Sequence, residues 1–109
     1  AAWYRDRLGF SYDRLWGDPP AFCMVKRGGI ILMLSQLSPA RPALPNREVD
    51  PGGDAWDAYV WVEDADALLA EFRAKGATII RDICDQPYGC RDFDLEDCNG
   101  YRLCFGHPL

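Results

Sequence analysis

Residues 96 to 105 read EDCNGYRLCF, and the Asn99-Gly100 pair at their centre is the strongest short hairpin signal in the chain. On one side CRDFDLE (90–96) alternates polar and apolar residues; on the other YRLCF (101–105) reads as a final strand. The two cysteines around the turn raise a metal or redox reading. A disulfide between Cys98 and Cys104 is disfavoured, because one falls in the turn and the other in mid-strand; Cys90 is the closer neighbour expected for Cys104. A nucleophilic Cys104 needs a base or a cation to lower its pKa. Arg102 lies two residues along the same face, but no histidine falls in the pattern.

Upstream, DAYVWV (57–62) is an aromatic, β-branched strand that turns Asp57, Tyr59 and Trp61 to one face. The segment DADALLAEFRAKG (64–76) sets Ala65, Leu68, Leu69 and Phe72 at i, i+3, i+4 and i+7, with Asp64 to cap the start and Gly76 to end it, which predicts an amphipathic helix. ATIIRDI (77–83) follows as a strand and DQPYG (85–89) as a loop. The second half is therefore strand, helix, strand, strand, strand.

The first half repeats that order without its opening element. WYRDRLGF (3–10) matches the end of the later helix, FSYDRLW (10–16) its following strand and PAFCMVK (20–26) the next. Gly28-Gly29 supplies the hairpin turn and GIILML (29–34) the last strand. A slide of 71 residues lays Phe22 on Phe93, Gly29 on Gly100 and Met33 on Cys104, which suggests an internal duplication. The counterpart of strand 57–62 would precede Ala1. Between the repeats, a segment holding four of the eight prolines reads as a connecting loop. The expected organisation is one domain over 1–109, with a first repeat at 1–37, a linker at 38–55 and a second repeat at 56–109.

Composition narrows the function classes. A chain of 109 residues, 49 % hydrophobic and 27 % charged, suits a single folded domain. The net charge of −5 argues against a phosphate-binding surface, so nucleic acid is not an expected partner. The longest apolar run, 30 to 34, is far too short to cross a bilayer. Five cysteines, an odd number, and no stretch with the pattern of a signal peptide favour a reduced, cytoplasmic setting. No phosphate-binding glycine loop, serine elbow or paired-cysteine zinc signature is present.

Two βαβββ units in tandem, with RDRLGF early and YGCRDFDLEDCNGYRLCF late, resemble the vicinal oxygen chelate superfamily of glyoxalases, extradiol dioxygenases and bleomycin-resistance proteins. The resemblance covers nearly the whole chain. Its most specific part is the final segment, where Asp97-Cys98-Asn99-Gly100 replaces the Asp-Pro-Asp-Gly turn common in the family. It implies an α+β fold: tandem repeats forming a cupped mixed sheet, helices on the convex side, the first strand of the first repeat missing. Metal-using members carry a histidine on the first strand of the second unit and a glutamate on the last strand. Those positions fall on Asp57 and Cys104, and the matching carboxylate of the first unit falls on Met33. Such a set does not suit the imidazole-and-carboxylate chemistry of the family's metals. The lone histidine, His107, lies outside the pattern.

The resemblance thus points to the metal-free, bleomycin-resistance branch: an antibiotic-resistance type homodimer that sequesters a small molecule, with no cofactor, no metal and no catalytic residue. An open sheet edge left by the missing strand also favours pairing. The alternation rule places Arg102 and Cys104 on the concave face, with Tyr101, Leu103 and Phe105 under the helices. Phe93 and Leu95 as core residues turn Asp92 and Asp94 to the concave face. With Met33, Asp57, Tyr59 and Trp61, and Tyr88 closing from the loop, the lining is acidic and aromatic and favours a cationic or flat ligand. Arg91 borders the same loop. Trp16 suits a pocket rim, a dimer contact or a sheet-edge cover. A half-solvated sheet alternates in the same way without any ligand. A metal-dependent lyase, isomerase or dioxygenase with a divergent ligand set, and a ligand-free scaffold, stay open as alternatives.

Overall fold

The computed structural model describes residues 1–36, 42–50, 52–53 and 55–109. Residues 38–41, 51 and 54 of the expected linker, and residue 37 at the end of the first repeat, lie outside the described residues. The chain is mixed α+β: α1 (Ala2–Leu8), β1 (Phe22–Arg27), β2 (Ile30–Ser35), α2 (Asn46–Val49), β3 (Ala58–Trp61), α3 (Ala65–Ala74), β4 (Thr78–Asp85), β5 (Cys90–Glu96) and β6 (Arg102–Pro108). It divides into two compact units, Ala1–Ala43 and Leu44–Leu109.

The second unit carries a complete βαβββ motif with strand order β3-β6-β5-β4. β3 runs parallel to β6, and the other pairs are antiparallel. α3 starts where Asp64 accepts a hydrogen bond from the Ala67 amide, and Gly76 after it takes φ 81°. Its buried stripe is the expected Ala65, Leu68, Leu69 and Phe72. Phe72 meets Phe105 at 5.2 Å and Phe93 at 6.1 Å, both edge-on, and Phe93 stacks on its cross-strand partner Phe105. Three fully buried phenylalanines contribute roughly 2–3 kcal/mol each by area removed from water. Leu95 and Leu103 extend the same layer, so one face of the sheet is sealed by α3.

Two local expectations change. β6 does not end at Phe105 but runs to Pro108, and His107 Nδ1 accepts the Ala65 amide at 3.0 Å, joining the last strand to the start of α3. The lone histidine is a helix cap. The turn at 97–100 is also not an Asn-Gly two-residue loop. The Gly100 amide bonds to the Asp97 carbonyl, and Asp97 Oδ1 accepts the amides of Asn99 and Tyr101. Gly100 alone takes positive φ, at 84°. Asp97 therefore organises a longer loop with glycine in the left-handed position after the turn.

The first unit contains α1 and the β1–β2 hairpin. Tyr4, Leu8, Phe10, Cys23 and Val25 are its buried side chains. The strand expected over 10–16 is reduced to two isolated bridges, Ser11 to Lys26 and Trp16 to Phe22. No side chain between 11 and 16 is buried, and the middle of that segment meets β1 only through a Cys23 thiol on the Arg14 carbonyl and a long Lys26–Asp13 ion pair, among the described residues. Arg14 instead lies 3.4 Å over the Trp16 ring. Within the connecting segment, the short α2 is held by the Asn46 amide on Asp57 Oδ1 and by an Arg47–Glu96 ion pair at 2.6 Å.

The slide of 71 residues holds for the last strands and fails by one on the strands before them. Val25 pairs with Leu32 and Cys23 with Leu34, as Leu95 pairs with Leu103 and Phe93 with Phe105. Cys23, not Phe22, thus stands where Phe93 stands. The second hairpin is one residue longer because its Asp97-centred loop replaces the two-residue Gly28-Gly29 turn.

Candidate functional site

The face of the second sheet opposite α3 carries a polar network built on β5. Alternation that sends Phe93 and Leu95 to the core turns Asp92 and Asp94 the other way, yet both are buried, at 0 % and 1 % exposure. Arg81 on β4 binds both. Its Nη2 lies 2.5 Å from Asp92 Oδ1 and 3.1 Å from Asp94 Oδ1, and its Nε donates to Asp94 Oδ2 at 3.0 Å. Arg102 on β6 adds Nε to Asp94 Oδ2 at 2.8 Å, with a second, shorter contact from Nη2. Gln86 Nε2 donates to Asp92 Oδ1 at 3.1 Å. Two carboxylates thus face two guanidinium groups, and the local charge is balanced. Buried carboxylates keep their charge only when paired and hydrogen-bonded in this way.

Two tyrosines complete Asp92. Tyr59 on β3 donates to Oδ2 at 2.9 Å and Tyr88, from the loop after β4, donates to the same oxygen at 2.5 Å. Tyr59 must cross β6 to reach it, and Gly106 permits the crossing. A Cβ on Gly106 would collide with the Tyr59 hydroxyl and sit 2.7 Å from Asp92 Cβ. Tyr59 also lies at the middle of an aromatic row, 5.4 Å from Trp56 and 5.1 Å from Trp61. Trp61 is 60 % exposed, Tyr88 52 % and Trp56 41 %.

The electrostatics follow the contacts. Burial raises the Asp92 carboxyl, but hydrogen bonds from Tyr88, Tyr59, Arg81 and Gln86 outweigh it, and the net direction is downward. Asp94 is likewise lowered against burial by Arg81, Cys104 and Arg102. Burial first, and hydrogen bonding to Asp92 second, push both tyrosine hydroxyls up. The Cys104 thiol is fully buried and pushed up by that burial and by Asp94. Such a thiol lacks the thiolate character a nucleophile needs.

Of the residues expected on this face, Tyr59, Trp61, Tyr88, Asp92, Asp94, Arg102 and Cys104 are brought together. Asp57 stands at the entry of β3 with both oxygens on backbone donors, Asn46 N and Arg102 N, each at 2.9 Å. Met33 belongs to the first unit and is 72 % exposed. Cys90 pairs with Pro108 and Asp94 with Cys104, so Cys90 is not the neighbour expected for Cys104; the cysteines are all free. Arg91 is tied to Asp66 of α3 and to Asp85. The open acidic surface expected from Asp92 and Asp94 is instead closed by Arg81, whose role the sequence reading missed, as it missed Gln86, Trp56 and Gly106. Arg81 was legible only as one residue of a strand. Gly106 had a signal, a glycine just past the apolar strand 101–105.

The chain matches the glyoxalase/bleomycin resistance protein/dioxygenase superfamily over residues 1–105. It belongs to that superfamily. It is 30 % identical over 98 residues to a 4-hydroxyphenylpyruvate dioxygenase from Caenorhabditis elegans, covering 73 % of this chain and 25 % of the relative. The chain therefore spans about a quarter of that curated relative's length. Among solved structures, TnmS3, an antibiotic binding protein from Streptomyces sp. CB03234, matches with TM-score 0.69 and 20 % identity over 98 % of this chain and 82 % of its own. A lactoylglutathione lyase from Agrobacterium tumefaciens matches with TM-score 0.66 and 20 % identity over 97 % and 81 %. At this identity these likenesses establish the fold.

The positions that carry metal ligands in metal-using relatives do not fit a metal ion here. Asp57 is committed to backbone amides, Cys104 is a protonated buried thiol, and a guanidinium occupies the space between Asp92 and Asp94. Among the described residues no group of three or more His, Cys, Asp and Glu side chains is arranged to hold one. Among the described residues, too, no helix is long and apolar enough to cross a membrane.

Proposed function

We propose that this chain binds a small aromatic molecule without a metal ion and acts by sequestration, in the manner of the antibiotic-resistance members of its superfamily. The observation that carries the reading is the aromatic row of Trp56, Tyr59 and Trp61, exposed at both tryptophans and half-buried at Tyr59, beside a buried network whose charges are already compensated. Flat rings gain from such a row by burial and by edge and face contacts. Tyr88 lies at its polar end, and Asp92, Asp94, Arg102 and Cys104 hold the floor in place. Asp57 fixes the entry of β3 and the start of β6 through the Asn46 and Arg102 amides. The protein acts in the cytoplasm as a homodimer. Among the described residues β2 is paired only with β1, which supports closure of its other edge by a second chain.

A second reading, a metal-dependent dioxygenase or lyase whose ligands come from further sequence, is favoured by the 30 % identity to a dioxygenase. Elemental analysis after chelation, with a thermal-shift screen of divalent metals and flat aromatic compounds, separates the two. The binder is stabilised by aromatics and holds no stoichiometric metal. Metal retained through chelation, with stabilisation by metals alone, supports the enzyme. Light scattering that finds a strict monomer at micromolar concentration removes the dimer.

A further inference from the structure

We infer that the ligand is an uncharged planar phenol, and that Tyr88 occupies the phenol's position when the site is empty. This rests on the binding role proposed above and narrows its ligand class. Three observations on the same face carry it. The first is charge: Asp92 and Asp94 are matched by Arg81 and Arg102 through contacts as close as 2.5 Å, so neither a cation nor an anion finds an unmatched partner there. A charged ligand would lose hydration without a compensating ion pair.

The second is the character of Asp92 Oδ2. This oxygen accepts two phenolic hydroxyls, Tyr59 at 2.9 Å and Tyr88 at 2.5 Å, while Oδ1 takes Arg81 and Gln86. It is an acceptor already furnished for phenols, and hydrogen bonds to a charged acceptor are the strong ones. Its lowered pKa keeps it ionised at neutral pH.

The third is the placement of the two tyrosines. Tyr59 is fixed on β3 between two tryptophans and under the constraint of Gly106. Tyr88 comes from the short turn between β4 and β5, and its ring is 52 % exposed although its hydroxyl reaches a buried carboxylate. Swinging Tyr88 outward frees one acceptor position on Oδ2 without disturbing Arg81, Tyr59 or the core. A ligand phenol then donates to Oδ2 while its ring lies against Trp56, Tyr59 and Trp61. The exchange replaces one phenol–carboxylate hydrogen bond by another, and the added ring burial drives it.

The test uses three probes of similar size: 2-naphthol, its methyl ether 2-methoxynaphthalene, and the cation N-methylquinolinium. Binding is followed by tryptophan fluorescence in the wild-type chain and in Tyr88→Phe. The expected order is naphthol tightest, by about tenfold over the ether, as one charge-assisted hydrogen bond of about 1.4 kcal/mol requires. In Tyr88→Phe, naphthol and the ether both tighten several-fold, because the hydroxyl that either must displace from Asp92 is gone, and the tenfold preference for naphthol persists. Equal affinity for naphthol and ether in both proteins, or preference for the cation, overturns this inference and leaves aromatic binding intact. Failure of all three probes to bind overturns the binding reading itself.

Discussion

The β1–β2 hairpin and the β5–β6 hairpin occupy corresponding places in the two units, and their outward faces have opposite chemistry. Where the second hairpin pairs Asp94 with Cys104, the first pairs Met24 with Met33, the two methionines of the chain. Asp94 and Cys104 are fully buried under two arginines, whereas Met33 is 72 % exposed. The difference lies in neighbours. β6 is flanked by β3 and β5, and β5 by β4, so Tyr59 and Arg81 reach over the acidic pair from both sides. β2 has no such flank among the described residues. Similar strand pairing thus yields a specified polar floor in one unit and a soft apolar face in the other.

The sharpest way to break that contrast is Arg81→Ala, which leaves Asp92 and Asp94 buried and only partly compensated. A loss of about 3–5 kcal/mol is expected in denaturant unfolding of the second unit. The same network sets the acid limit. Asp92 and Asp94 have lowered native pKa values, so their contribution is intact above the ordinary carboxylate range and is lost as pH falls through the lowered values. Cys104 is raised, so its contribution is intact below the ordinary thiol value and lost as pH climbs toward the elevated one. Stability against pH should therefore form a plateau through neutrality, and Arg81→Ala should flatten its acid edge, because carboxyls no longer held low lose less stability when protonated; an acid edge as steep as in the wild type would show that the network is not its origin.

Gly106→Ala attacks the crossing of Tyr59 over β6. The added methyl displaces Tyr59 from Asp92 at a cost of roughly 1–3 kcal/mol, and near-ultraviolet circular dichroism of the aromatic row should change with it. His107→Ala removes a cap from α3 and is expected to cost about 1 kcal/mol, seen as faster amide exchange in the first turn of the helix. Met33→Ala, on the exposed counterpart face, should change stability by no more than about 0.5 kcal/mol. A Met33 effect as large as that of Arg81 would erase the distinction between the hairpins.

Periodicity made much of this architecture legible. The i, i+3, i+4, i+7 stripe of α3 and the alternation of Phe93, Leu95, Leu103 and Phe105 follow from local rules that the core enforces. Segment 10–16 was less legible, because its strand character rests on its neighbours and, after Phe10, no buried side chain anchors it. The floor of the site was half legible. Alternation brought Asp92, Asp94, Arg102 and Cys104 to one face, but charge balance depends on Arg81, whose strand is shifted twice in register against β5. Irregularities between Ile79 and Arg81 and between Arg81 and Cys84 break the period on which a sequence reading depends.

The central claim is that Trp56, Tyr59 and Trp61 bind a flat ligand over a floor that needs no metal. Titration of chelator-treated wild type and Trp61→Ala with 2-naphthol, followed by calorimetry in metal-free buffer, tests it most directly. The account predicts binding in the wild type that weakens about tenfold or more in Trp61→Ala, with no change on adding divalent metal. Binding that appears only after metal is restored, or that is indifferent to Trp61, would contradict it.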